Sequence, residues 1–159
     1  MPEIVRELAA EEVEAVTPLL LLAEPSEGAL RWSLRNLSDA AYALEDEGRA
    51  VAAATVRWRR APCEIVELAV APERQGRGYG RRLVEWVCRQ AARRGLPEIV
   101  VGTRTTSAGN IIFYQKCGFR ADHVKRDYFW YYDEPLVEHG VVVRDMLVFR
   151  RELAGEGGA

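Results

Sequence analysis

The chain has no apolar run long enough to cross a membrane. One short run, residues 19–22, is four leucines bracketed by Pro18 and Pro25 and reads as core. It has no excess of positive charge either: 22 Lys and Arg stand against 24 Asp and Glu, a formal net charge of −2. Binding to a phosphate backbone needs a basic surface, so nucleic acid is not expected as the main partner, and neither is a membrane. The first residues, Met-Pro-Glu-Ile-Val-Arg, lack the basic and apolar regions of a secretory signal. Cysteine is sparse. Cys63, Cys88 and Cys117 are odd in number, far apart and without metal-ligand partners nearby, so they are expected to be free thiols in a reducing cytoplasm, with no metal site. Lysine is nearly absent, and almost all the positive charge is arginine. Repeats and low-complexity tracts are missing too.

What remains is a chain of 159 residues, 48% hydrophobic and 29% charged. That composition suits one globular domain, assigned to residues 1–153, with a glycine-rich tail at 154–159 expected to be flexible. The pattern predicts a short strand at 2–6 and a helix over 10–22, with Val13, Val16 and Leu20 on one face. Pro25 breaks the chain, and Ser26 caps a second helix bearing Leu30, Leu34 and Leu37. Strand-like runs follow at 42–45, 50–59 and 64–70. A helix over 80–94, with Leu83, Val87 and Ala91 aligned, ends at Gly95. A strand at 98–102, a short helix at 107–116 stopped by Gly118, and strands at 119–131 and 141–151 complete the order β-α-α-β-β-β-α-β-α-β-β. That order describes an α/β (α+β) mixed sheet with helices packed on it.

The most informative stretch is 70–80, Val-Ala-Pro-Glu-Arg-Gln-Gly-Arg-Gly-Tyr-Gly, where a strand enters a glycine-rich loop and a helix follows at once. Exposed backbone amides in front of a helix N-terminus make a pyrophosphate site. A nucleotide P-loop would need a lysine after the glycines, and none is present. A dinucleotide fold would need an acid at the end of the next strand, whereas Glu98 begins it. The third pattern is Gln-x-x-Gly-x-Gly, matched by Gln75, Gly78 and Gly80.

That loop resembles the coenzyme A pyrophosphate loop of the GNAT superfamily of N-acetyltransferases. The preceding Glu-Leu-Ala-Val-Ala-Pro has the form that leads into it, and Tyr114-Gln-Lys-Cys-Gly-Phe119 resembles the family's Tyr-x-x-x-Gly-Phe motif. The resemblance runs from about Tyr42 to Arg151. It implies a mixed, mostly antiparallel central sheet of about seven strands flanked by about four helices and splayed near strands 4 and 5. Acetyl-CoA is the implied co-substrate, and the implied reaction is direct attack by a primary amine of a small molecule or a peptide.

The residues can be matched to that chemistry. Amides of Arg77, Gly78, Gly80 and Arg81, in the loop of Gln75 and Gly76, are placed to bind pyrophosphate; a Cβ at Gly78 or Gly80 would push the phosphates away. By resemblance, Leu68, Ala69 and Val70 pair with the pantetheine arm, and an amide there stabilises the oxyanion. At about 100° per residue, Ser107, Asn110, Ile111 and Tyr114 fall within about a third of a helix circumference. Tyr114, with an ordinary pKa of about 10, is the candidate acid for the leaving thiolate, its alternative being a structural tyrosine. The family commonly carries Asn where this chain has Ser107; Ser107 can bond the pantetheine or cap the helix, and Asn110 can substitute on the same face.

The favoured candidate for the base is Glu64, with Glu67 next, the alternative for either being a solvated strand residue. Strand alternation puts them on opposite faces, with Glu64 at the family position and Glu67 nearer the splay, available if a bulge reverses the alternation. His123 and His139 read as ordinary histidines, and Cys117 as core. Trp32, Arg35, the aromatic and acidic segment 127–135, and Glu138 are the acceptor candidates. Aromatics among carboxylates suit a cationic amine or, alternatively, a homodimer contact. A non-catalytic acyl-CoA-binding sensor is the alternative to an enzyme, although the presence of Tyr114 and Glu64 argues against it.

Overall fold

The computed structural model describes residues 2–153, and the proposed tail at 154–159 lies outside them. The elements are β1 (Ile4–Glu7), α1 (Ala10–Leu20), α2 (Glu27–Asn36), β2 (Ala40–Asp46), β3 (Arg49–Arg57), β4 (Cys63–Val70), α3 (Tyr79–Arg93), β5 (Glu98–Arg104), α4 (Ala108–Lys116), β6 (Arg120–Lys125), β7 (Val137–Glu138), β8 (Val141–Val142) and β9 (Met146–Glu152). The main sheet has seven strands in the order β1-β2-β3-β4-β5-β9-β6. All its pairings are antiparallel except β4 with β5. The expected mixed, mostly antiparallel sheet with four helices is what forms.

Helices cover both faces. On one face Ala41, Ala43 and Ala53 of β2 and β3 meet Val16 and Leu20 of α1 and Leu30 of α2. On the other, Leu44, Ala54 and Val56 meet Leu83, Val84 and Val87 of α3. Alanine at so many positions of β2 and β3 leaves room for large side chains to pack from both sides. Ser26 caps α2 as expected, its Oγ accepting from the Ala29 amide at 3.2 Å. All three cysteines are buried.

One irregularity shapes the rest. The β3–β4 ladder shifts register between Thr55 and Val56: Thr55 faces Glu67 while Val56 faces Ile65, which leaves Val66 as the extra residue of a bulge. Cys63 and Ile65 before the bulge, and Leu68 and Val70 after it, all point to the α3 face. Glu64 and Glu67 therefore share the opposite face. The parallel pairing of β4 with β5 also stops here, running only from Cys63–Ile99 to Ile65–Val101. Beyond Ile65 the two strands part.

The C-terminal part departs from the sequence expectation. The strand expected over 119–131 ends at Lys125, and the one expected over 141–151 divides into β8 and β9. Asp127 turns the chain with φ +54, and the Asp145 carboxylate accepts from its amide at 2.8 Å. The Phe129 amide then donates to the Arg144 carbonyl. The aromatic run that follows leaves the sheet and folds over the gap between β4 and β5.

Candidate active site

A single large cavity of 1490 Å³ opens where β4 and β5 part. It exceeds the roughly 300–1,000 Å³ of most one-ligand pockets and leaves room for two substrates. Residues 67–70 of β4 form its floor, and Asn110, Phe113, Tyr114, Lys116 and Cys117 of α4 one wall. One end is the glycine loop with the start of α3; the other is made by Glu24, Ser26, Trp32, Ser33 and residues 126–131.

At the first end, Gly76 and Gly78 carry φ +77 and +85, backbone values that L side chains rarely adopt. Gly78 caps α3 without a side-chain bond, and no acid lies in the first turn. The first helical bond runs from the Arg82 amide to the Gly78 carbonyl, so the amides of Tyr79, Gly80 and Arg81 precede the helix ladder. Arg74, Arg81 and Lys116 border the same end. This is an anion cradle backed by a helix dipole.

Three loop residues also have partners within the protein. A Cβ on Gly80 would lie 3.2 Å from Phe113 Cζ and from Val70 Cγ2, so this glycine also lets α3 close onto α4 and β4. The Gln75 amide nitrogen donates to the Val70 carbonyl at 3.1 Å and ties the loop to the strand. Arg77 does not line the cavity, and its carbonyl accepts from Arg82.

The floor offers a strand edge that β5 leaves unpaired. The Ala71 amide donates to the Val51 carbonyl, so Ala69, two residues back and opposite Ala53, also points its peptide groups at β3. Leu68 and Val70 then point theirs into the gap, where β5 no longer pairs. Of the three floor residues expected to meet a peptide-like ligand, these two present the edge.

Glu67 is a buried acid of this cavity. It is 6% exposed, and the bulge turns it toward α2. The Ser33 hydroxyl donates to its Oε1 at 2.6 Å, and the Thr55 hydroxyl donates to its Oε2. Burial raises its pKa above the ordinary carboxylate range, against the pull of those two bonds, and the charges of Glu24 and Glu64 push it the same way. Glu64 is on the same face but does not line the cavity; Arg57 holds it at 2.7 Å. Tyr114 is 6% exposed among Phe113, Phe119 and Phe149 and also lines the cavity. Burial raises its pKa, so the phenol keeps its proton at neutral pH. The Cys117 thiol is pushed up to about 11 by burial, which makes it a poor nucleophile and leaves it a packing residue.

Residues 4–119 match the model of the Acetyltransferase (GNAT) family. The chain belongs to the GNAT family. It is an N-acetyltransferase with acetyl-CoA as co-substrate. It is 33% identical over 142 residues to an uncharacterized N-acetyltransferase, YvbK, of Bacillus subtilis, covering 89% of this chain and 91% of that one. A structure described as an IAA acetyltransferase from Bacillus cereus superposes with a TM-score of 0.84 at 30% identity, covering 95% of this chain and 99% of the other. A GNAT acetyltransferase from Elizabethkingia anophelis with acetyl-CoA bound superposes equally, at 0.84 and 27% identity, covering 94% and 97%.

The residues present fit such a co-substrate: an acid-free helix N-terminus and a floor edge that β5 leaves unpaired meet in one cavity of sufficient size. Other GNAT positions fall differently from expectation. Ser107 neither lines the cavity nor caps α4; its hydroxyl donates to Glu138 at 2.9 Å. Burial opposes ionisation of Glu138, but bonds from Thr106, Ser107 and Arg104 outweigh it and hold its pKa low. Glu138 is therefore tied to the α4 entrance. Asn110 does face the cavity, one nitrogen bonded to Thr103 Oγ1 at 3.3 Å. Trp32 lines the cavity and Arg35 does not. Sequence reasoning missed Ser33, Thr55 and Glu24. Ser33 offered one signal, a polar residue three positions from the core Leu30 on a helix face; the other two had none.

Proposed function

We propose that this GNAT enzyme acetylates a primary amine of a small molecule or a peptide by direct attack, with both substrates in the cavity at once. The observation that carries the proposal is the position of Glu67, a buried carboxylate beside the edge of Leu68 and Val70 that β5 does not pair and in the same cavity as Tyr114. An amine with a pKa of about 10 arrives as ammonium, and Glu67 takes its proton. Its raised pKa suits the task, because a more basic carboxylate is a stronger proton acceptor. The amides of Tyr79, Gly80 and Arg81, with Arg74, Arg81 and Lys116 around them, hold the pyrophosphate; the edges of Leu68 and Val70 hold the pantetheine arm. Bound acetyl-CoA supplies the acetyl group as a thioester. A floor amide is positioned to stabilise negative charge on the carbonyl oxygen, and the Tyr114 phenol donates its proton toward the departing sulfur. Ser33 and Thr55 orient Glu67 through their hydroxyls and are positioning residues.

The test is thiol release from acetyl-CoA against pooled amines, amino acids, aminoglycosides and peptides, alongside thermal denaturation with and without acetyl-CoA. The expected outcome is an amine-dependent signal together with a rise in Tm. A rise in Tm with no turnover of any amine would favour the acyl-CoA-binding sensor instead. No rise at millimolar acetyl-CoA would remove the basis of the proposal.

A further inference from the structure

We infer, resting on the amine-acetyltransferase reading above, that the acceptor carries a second cationic nitrogen and that Glu24 is the subsite that holds it. Glu24 lies in the connection between α1 and α2, lines the end of the cavity away from the glycine loop, and is 8% exposed. The Tyr132 hydroxyl donates to its Oε2 at 2.6 Å. Its Oε1 is also buried and has no hydrogen-bond partner among the described residues. A buried carboxylate with one oxygen unbonded is costly, and a ligand that donates to it recovers that cost on binding.

The neighbourhood favours a cation. Tyr131 packs on Tyr132 with centroids 4.7 Å apart, and Phe129 stacks on Tyr132 at 6.0 Å and 22°. Tyr128, Phe129, Trp130 and Tyr131 of this cluster line the cavity, and aromatic faces attract an ammonium. The nearby guanidinium does not satisfy Glu24: Arg104 spends Nη1 on Glu138 and Nη2 on the Ala23 carbonyl, both at 3.1 Å. Among the described residues that line this end, Arg126 is the other cation, and Asp127 and Asp133 line the cavity beside it.

Glu24 and Glu67 are separate devices in one cavity. Glu67 stands on β4 at the edge of the gap, where the reacting nitrogen must be, and hydroxyls engage both of its oxygens. Glu24 comes from another element and keeps an oxygen in reserve. One ammonium needs one carboxylate. Two carboxylates joined by an aromatic wall match a chain with a nitrogen at each end, and the charge of Glu24 is felt at Glu67.

The experiment measures kcat/KM, at saturating acetyl-CoA, for straight-chain α,ω-diamines of graded length and for alkylamines of matching length. In the wild type the best diamine should exceed its monoamine by about 10- to 100-fold, the range of one charge-assisted hydrogen bond. Glu24→Gln should reduce that ratio to within about threefold. Glu24→Asp keeps the charge on a stem one methylene shorter, and should move the optimum to a longer diamine. A wild-type ratio near one overturns the inference, as does a ratio that survives Glu24→Gln. Monoamine turnover without diamine preference defeats this inference alone, whereas no turnover of any amine defeats the acetyltransferase reading with it.

Discussion

Replacing Ser33 by Ala removes one of two hydroxyl bonds to Glu67 and leaves the carboxylate itself untouched. The bond is 2.6 Å long and buried, and it favours the ionised form. A hydrogen bond to a charged group is worth about 1.5–3 kcal/mol, and one pKa unit corresponds to about 1.4 kcal/mol. The Thr55 bond remains and the cavity can admit water, so the lower end applies: the pKa of Glu67 should rise by about one unit. The assay is kcat against pH with both substrates saturating, so that the profile reports groups in the ternary complex. The acidic break of the wild type should lie above the ordinary glutamate value of about 4.3, and in Ser33→Ala it should move up by about one unit more. Below the break the rate then falls about tenfold while the alkaline plateau keeps its height. Misfolding would lower the plateau and Tm and leave the break in place, so the two outcomes are separable. A folded Ser33→Ala enzyme whose break has not moved would refute Glu67 as the titrating base.

Four further outcomes follow from the same geometry. Tyr114→Phe should lower kcat by about 100-fold or more with little change in KM for acetyl-CoA, and an unchanged kcat would reject Tyr114 as the acid. Glu67→Gln should abolish the acidic break and most of kcat, whereas Glu64→Gln, at a carboxylate held by Arg57 off the cavity wall, should keep kcat within about threefold; the reverse ranking would make Glu64 the base. The raised pKa of Glu67 means its ionisation opposes folding: its contribution is fully present below the unfolded value of about 4.3 and is lost as pH rises through the folded value. Wild-type Tm should therefore fall relative to Glu67→Gln between pH 4 and 8, and a constant difference in thermal melts would contradict this. Gly80→Ala places a Cβ 3.2 Å from Phe113 and Val70, which should cost about 1–3 kcal/mol and raise KM for acetyl-CoA; calorimetry and kinetics with neither change would show that α3 yields freely.

How far the sequence was legible depended on whether a residue's role is local. The glycine loop, the Ser26 cap and the face of α3 depend on neighbours within a few positions, and these elements formed where the periodicity placed them. Phe129, Tyr131 and Tyr132 misled because a run of aromatics satisfies strand propensity and cavity lining equally well. The Asp127 turn, fixed by an Asp145 carboxylate 18 residues away, decided between the two. Ser33 and Thr55 could not be found because each matters only through Glu67, which lies 34 and 12 residues further along the chain.

The choice between Glu64 and Glu67 turned on one residue. Without Val66 inserted opposite the Thr55–Val56 step, period-2 alternation would aim Glu67 at α3 and bury it under Leu83 and Val87 with no hydroxyl to meet it. The bulge reverses its face, delivers it to Ser33, and coincides with the end of the β4–β5 pairing. The same backbone defect thus makes the edge that the pantetheine arm is proposed to pair with and sets the proposed base beside it. Shifting the bulge would lose both at once, so the two halves of the site are coupled through backbone geometry, and no side chain need bridge them.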